Sequence, residues 1–187
     1  MSAYRNPPTV VVVRVPVRTD RGVGLLMVRR ALQDGKGKLA IPGGYQVKGK
    51  TWQEAGADEV LEETGLAVDP SSLKPVDVRT TPDRKVNLLF CDAPAVGSYT
   101  PVPERIAAWE AAGKPGALHG WLNLTEGQFH AWETSRHEVE EALVIEAPCP
   151  TAFPLHDVMA EQFFALWRAR RWLGIEYPVL HMKGGPE

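Results

Sequence analysis

Short apolar runs of strand type alternate along the chain with two helical patterns. Valine recurs at nearly every position from Thr9 to Val17, and Gly24 to Arg30 forms a second run. Between them Arg18 to Gly22 has turn chemistry, so the two runs predict a pair of antiparallel strands. A third short strand, Lys38 to Ile41, meets Pro42-Gly43-Gly44. Proline lacks an amide donor and glycine is conformationally free, which predicts that the chain turns there into a loop. Thr51 and Glu54 then stand at capping-box spacing and predict the start of a helix, while Gly65 suits the left-handed residue that ends it. On that helix Ala57, Val60, Leu61 and Thr64 gather on one side, and Glu59, Glu62 and Glu63 on the other.

Two further strands are predicted at Pro75 to Thr80 and Lys85 to Cys91, joined around Thr81 to Arg84. From Ala93 to about Ser135 the pattern gives way to Pro, Gly, Ala and Trp, with a short helix from Pro103 to Ala112. That stretch is longer than an ordinary connection and reads as an insertion, at about 93–135, that covers a site. Glu141 to Ile145 is a last strand. Leu155 to Trp172 is an amphipathic helix whose Val158, Phe163, Phe164, Leu166 and Trp167 are expected to pack on the sheet. The tail from Lys183 to Glu187 is expected to fray.

The 187 residues, 44% hydrophobic and 24% charged, suit one soluble domain spanning 1–187 with an insertion. Twenty-one basic residues against 23 acidic ones give a net charge of −2, which disfavours nucleic acid and anionic membranes as partners. The apolar run Val10 to Val13 is far short of the ~20 residues that cross a bilayer, and Met1 to Pro8 lacks the grammar of a signal peptide. Cys91 and Cys149 fit neither a disulfide framework nor a zinc site. A cytoplasmic protein is expected. The Gly22-Val-Gly24 pair opens no helix and is no dinucleotide fingerprint.

Glu59, Glu62 and Glu63 stand at i, i+3 and i+4, so one face projects three carboxylates that repel one another. Most such clusters are a solvated helix face. Here the helix is entered from Pro42-Gly43-Gly44 and closed by Thr64-Gly65-Leu66, and carboxylate oxygens are what hard divalent cations take as ligands. A bound cation accounts for the cluster.

The segment from Gly44 to Leu66 resembles the Nudix box, G-x5-E-x7-R-E-U-x-E-E-x-G-U, where U is a bulky aliphatic residue. Seven of the nine defined positions are met, by Gly44, Glu59, Val60, Glu62, Glu63, Gly65 and Leu66. Lys50 replaces the first glutamate and Asp58 the arginine, and because both signs are exchanged we expect the two to form a reversed ion pair that orients the loop and helix. The resemblance implies a Nudix-type α/β/α sandwich, an α/β fold in which a mixed, partly antiparallel sheet lies between the box helix and the C-terminal helix. It also implies that Glu59, Glu62 and Glu63, with the Gly44 carbonyl, bind Mg2+ or Mn2+, and that Glu62 and Glu63 are catalytic. The implied reaction is attack of water on a pyrophosphate. That makes the protein a hydrolase acting on phosphoric anhydrides, with a nucleoside diphosphate linked to another moiety as substrate and ADP-ribose-like compounds as the first guess.

A general base in this family often lies outside the box. The segment Ser135 to Leu143 carries His137, Glu138, Glu140 and Glu141, among which Glu138 ranks first and Glu141 second. Arg29 and Arg30 close a strand and offer guanidinium forks for phosphate, but alternation lets at most one face the site. Tyr45 and Trp52 near the box, and Trp109, Trp121 and Trp132 in the insertion, are candidates to stack on a base, although core or lid packing is the better reading for each tryptophan. His156 has no partner identifiable from sequence and suits a structural or helix-start role. The rival function is a nucleotide-sensing module that binds without cutting; an RNA-end hydrolase lacks the basic stripe it needs. The pattern leaves a homodimer open.

Overall fold

The valine-rich run near the start is buried on both faces, as its composition requires. In the computed structural model, which describes residues 7–19, 22–100, 121–122 and 137–168, it serves two sheets rather than one. It divides at Val15 into β1 (Thr9–Arg14) and β2 (Pro16–Thr19). There follow β3 (Gly22–Arg30), β4 (Leu39–Ala40), β5 (Gly43–Tyr45), helix α1 (Trp52–Thr64) and a 3-10 turn at Pro70–Ser72. The remaining elements are β6 (Lys74–Thr80), β7 (Asn87–Asp92), β8 (Val96–Thr100), β9 (Trp121–Leu122), β10 (Val139–Ile145) and helix α2 (Pro154–Arg168).

Among the described residues one sheet runs β5-β1-β7-β6, and the other runs β10-β3-β2-β8-β9 with β4 beside β3. The expected hairpin between the first two runs therefore forms only in its second half, where Pro16 faces Leu25 and Thr19 faces Gly22. The first half pairs instead antiparallel with β5 and parallel with β7. The expected loop at Pro42-Gly43-Gly44 is also corrected, because Gly43 and Gly44 begin β5 and face Val12 and Val11. Gly43 is needed for close approach: a Cβ there would lie 2.3 Å from the Val11 carbonyl oxygen.

Period-two alternation sorts the valines to opposite layers. Val11, Val13, Val15 and Val17 pack with Ala55, Ala57 and Val60 of α1, whereas Val12 packs with Leu25, Ile41, Phe90, Met159 and Phe163 on the α2 side. The result is the expected α/β/α sandwich with mixed strand directions. Three side chains depart from their expected faces. Leu61 is 36% exposed, Val158 is 44% exposed, and Glu63 turns into the buried side of α1.

The insertion contributes β8, which pairs parallel with β2, and β9, which pairs with β8. The expected helix at 103–112, Trp109, Trp132, the extension of α2 to Trp172 and the tail from Lys183 lie outside the described residues. Both cysteines are buried and free. No helix among the described residues is long and apolar enough to cross a membrane.

Candidate metal and substrate site

The caps of α1 determine where its glutamates fall. The Thr51 side chain accepts from the Glu54 amide at 3.2 Å, the Glu54 carboxylate accepts from the Thr51 amide at 2.7 Å, and Gly65 closes the helix at φ 72°. This register brings the second half of α1 against β5. There Glu63, 7% exposed, accepts the Gly43 amide proton at 2.9 Å. The carboxylate of Glu59 stands directly over Gly44, where a Cβ would come within 2.2 Å of its Oε1. The three glutamates do not share one solvated face, since the edge of β5 draws two of them in.

Burial pushes the Glu63 carboxyl up to about 8, and the neighbouring charges of Glu59 and Glu138 push the same way, against the Gly43 amide and Arg30. Burial likewise raises Glu59 to about 7, helped by Glu62 and Glu138. Glu59 and Glu63 thus sit in a partly dry place where the charge of Glu138 is felt by both and that of Glu62 by Glu59. A nearby cation would favour their charged forms, and an all-oxygen donor set is the chemistry Mg2+ and Mn2+ take. Among the described residues no three acidic, His or Cys side chains converge closely enough to enclose an ion as they stand. Mg2+ in particular retains waters and shares its ligands with substrate phosphates, so full enclosure by protein is not its requirement.

Around this centre the expected Lys50–Asp58 ion pair is formed, with Nζ 2.5 Å from Oδ2 and both side chains exposed. Asp58 raises Lys50 above its ordinary value through that hydrogen bond. The backbone carbonyl of Glu138 accepts from the Ala31 amide at 2.8 Å, and its carboxylate, half-exposed, meets His137 Nε2 at 3.2 Å. Glu141 is placed differently, because its carboxylate holds Arg29 Nε at 2.8 Å while Arg29 Nη1 donates to the Gly37 carbonyl at 2.8 Å. The charge of Glu138 raises both Glu59 and Glu63.

The two arginines separate as alternation requires. Arg30 donates from Nε to the Asp34 carbonyl, lies 4.9 Å over the Phe153 ring and is the arginine that favours ionised Glu63. Tyr45 is exposed on β5, whereas Trp52 packs against the α1-side core. Trp121 falls in β9. The Gly43 amide is a site group that no side-chain pattern in the sequence marks, although a glycine doublet ahead of the box signals a backbone approached closely by something else.

Fold and site together define a two-sheet α/β/α protein with an acidic helix against one strand edge. The profile of the NUDIX domain family matches residues 7–165, and the chain belongs to that family. Its fold is that of solved Nudix hydrolases. The NUDIX hydrolase from Nitrosomonas europaea is similar at 15% identity and TM-score 0.50, over 89% of this chain and 74% of that one. The NUDIX domain of Shewanella oneidensis NrtR, solved in complex with ADP ribose, is similar at 13% identity and TM-score 0.50, over 90% of each chain. A MutT/nudix family protein from Enterococcus faecalis matches at 18% identity and TM-score 0.46, over 50% of this chain and only 38% of its own.

Proposed function

We propose that the protein hydrolyses the pyrophosphate bond of a nucleoside diphosphate linked to another moiety, with Mg2+ or Mn2+ held by Glu59, Glu62, Glu63 and the Gly44 carbonyl. The observation that carries this reading is the approach of Glu59 and Glu63 to the Gly43-Gly44 edge, where the charge of Glu138 is also felt by both. A bound divalent cation would neutralise the carboxylates and the diphosphate together and lower the pKa of a bound water. Glu138, half-exposed, accepts the proton of the attacking water. That water oxygen bonds to one phosphorus as the bridging P–O bond breaks, and the bridging oxygen leaves on the second phosphate. Arg30 offers a donor for a phosphate oxygen, and exposed Tyr45 offers a ring for a base. The S. oneidensis domain, whose fold this chain shares, was solved with ADP ribose, which makes that compound the first to test.

The test is product release from a panel of nucleoside diphosphate derivatives with Mg2+, Mn2+ or chelator. Turnover is expected with metal and none with chelator. Glu62→Gln and Glu63→Gln are expected to abolish it in a folded protein, since glutamine at 63 still offers an oxygen to the Gly43 amide. Unaltered rates in either variant would refute the site. Metal-independent binding without turnover of any compound would make the protein a nucleotide-sensing module instead.

A further inference from the structure

Strand β4 is two residues long, yet it delivers the chain to Gly43 and Gly44. On one side it is held by β3, where Val28 faces Ala40 and Arg29 faces Leu39. On the other side the segment before α2 stands where the next strand would be. Leu39 bridges Thr151 in parallel, the Ala152 amide donates to the Leu39 carbonyl at 2.7 Å, and the Ile41 amide donates to Nδ1 of His156 at 3.1 Å. The last rung of this ladder is a side chain. The backbone has already turned into α2 at Pro154, so an imidazole nitrogen supplies the acceptor that a strand carbonyl would have given. Ile41 is buried, and its amide left without that acceptor would carry the cost of an unmade hydrogen bond.

The ring is held for this task. It lies edge-on to Phe90, with centroids 5.9 Å apart, and to Phe153 at 5.1 Å, and the residue is buried. Accepting at Nδ1 requires the neutral tautomer with its proton on Nε2. Just beyond Ile41 the chain is pinned twice more. The Pro42 carbonyl accepts from the Val13 amide at 2.9 Å, and the Gly43 amide donates to Glu63.

We propose that His156 is a positioning residue for the metal-binding edge: by accepting the Ile41 amide proton it fixes the approach of Gly43 and Gly44 to Glu63 and Glu59. This rests on the reading of those residues as a metal centre. The test compares the wild-type protein with His156→Leu and His156→Asn, whose Oδ1 stands near the place of Nδ1. Three quantities are measured: Mn2+ affinity by electron paramagnetic resonance, exchange of the Ile41 and Gly43 amides in the metal-free protein, and steady-state kinetics on any compound turned over. His156→Leu is expected to speed exchange at both amides, to weaken Mn2+ binding by roughly 10- to 100-fold, the range for groups that support ligands from behind, and to lower kcat with little change in KM. His156→Asn is expected to restore most of each loss. Wild-type affinity in His156→Leu, or an Asn variant no better than the Leu one, overturns the proposal. If His156→Leu does not fold, the contrast passes to His156→Asn against His156→Gln, whose oxygen stands nearer the place of Nε2; equal Mn2+ affinity in those two overturns it. Failure of the wild-type protein to bind Mn2+ overturns the metal reading and this proposal with it, whereas normal wild-type binding that His156→Leu leaves unchanged overturns this proposal alone.

Discussion

Gly43 and Gly44 are neighbours in β5 that answer the same substitution in opposite ways. A Cβ on Gly43 meets the carbonyl oxygen of Val11 at 2.3 Å and the Val12 Cα at 2.8 Å, which are backbone atoms of β1 and cannot swing aside. The three atoms nearest a Cβ on Gly44 all belong to the Glu59 carboxylate, the far end of a flexible side chain. Gly43→Ala is therefore expected to cost about 1–3 kcal/mol of stability, the usual toll of overpacking. Gly44→Ala is expected to unfold near the wild-type midpoint while losing Mn2+ affinity, because Glu59 has been displaced. Chemical denaturation and a Mn2+ titration check both, and full Mn2+ affinity in Gly44→Ala would remove Glu59 from the ligand set. His156 gives a separate signature in acid. Burial, then Arg30, pull it from 6.5 down to about 4, with Asp157 opposing. Between those values the unfolded chain binds the proton and the folded one does not. The contribution of His156 to stability is therefore lost as pH falls from 6.5 to 4 and levels off below, by on the order of 3 kcal/mol, while the raised carboxyls of Glu59 and Glu63 act with the opposite sign over the upper part of that window. The His156 contribution is read as a difference: the stability advantage of the wild type over His156→Asn is expected to shrink as pH falls across that window. The imidazole was visible in the sequence, but its partner was not, because nothing local ties it to an amide 115 residues away.

At the scale of elements, α1 was legible at both ends because its signals are local: Thr51 with Glu54 at the start and Gly65 at the end. Which of its side chains are buried was not, since Glu63 is drawn inward by an amide on β5 and Leu61 gives up the buried position. The division of Thr9 to Val17 between two sheets was hidden for the same reason. A valine-rich run specifies burial on both faces, while its partners, β5 and β7, are chosen by contacts far along the chain. The Lys50–Asp58 pair lies between these cases, because its residues are close in sequence and its opposite signs predicted the contact that is found. If the pair orients the loop before α1, Lys50→Glu or Asp58→Lys alone is expected to lower kcat/KM a few-fold, and the two together to recover most of it. A double-mutant cycle measures this. A double variant no better than its worse parent would reduce the contact to an incidental surface pair, the common outcome for exposed ions.

Across the whole molecule, the paired strands β1 and β7 of one sheet meet α2 at Arg14. Its side chain is fully buried, with Nε 2.6 Å from the Asp92 carboxylate at the end of β7 and Nη1 donating to the Met159 carbonyl at 3.2 Å and to Gln162 Oε1 at 2.9 Å. One side chain thus joins the last residue of β1, the strand beside it and the helix that carries His156. An arginine interrupting a valine run reads in sequence as a place where the strand meets water, and its burial depends on a carboxylate 78 residues further along. The arrangement is costly as well as specific. Burial raises the Asp92 carboxyl above its ordinary value even though Arg14 pulls it down, so desolvation outweighs the attraction. From that balance the two ways of removing the pair are expected to differ in size. Asp92→Ala leaves a buried guanidinium without its carboxylate and is expected to cost about 3–5 kcal/mol. Replacing both charges by apolar groups of similar size, Arg14→Met with Asp92→Leu, is expected to recover most of that loss, because neither desolvation penalty remains. Denaturation of the two proteins side by side decides it. A double variant as unstable as Asp92→Ala would mean that the bonds from Arg14 to Met159 and Gln162, rather than the ion pair, hold α2 to the sheet of β1 and β7.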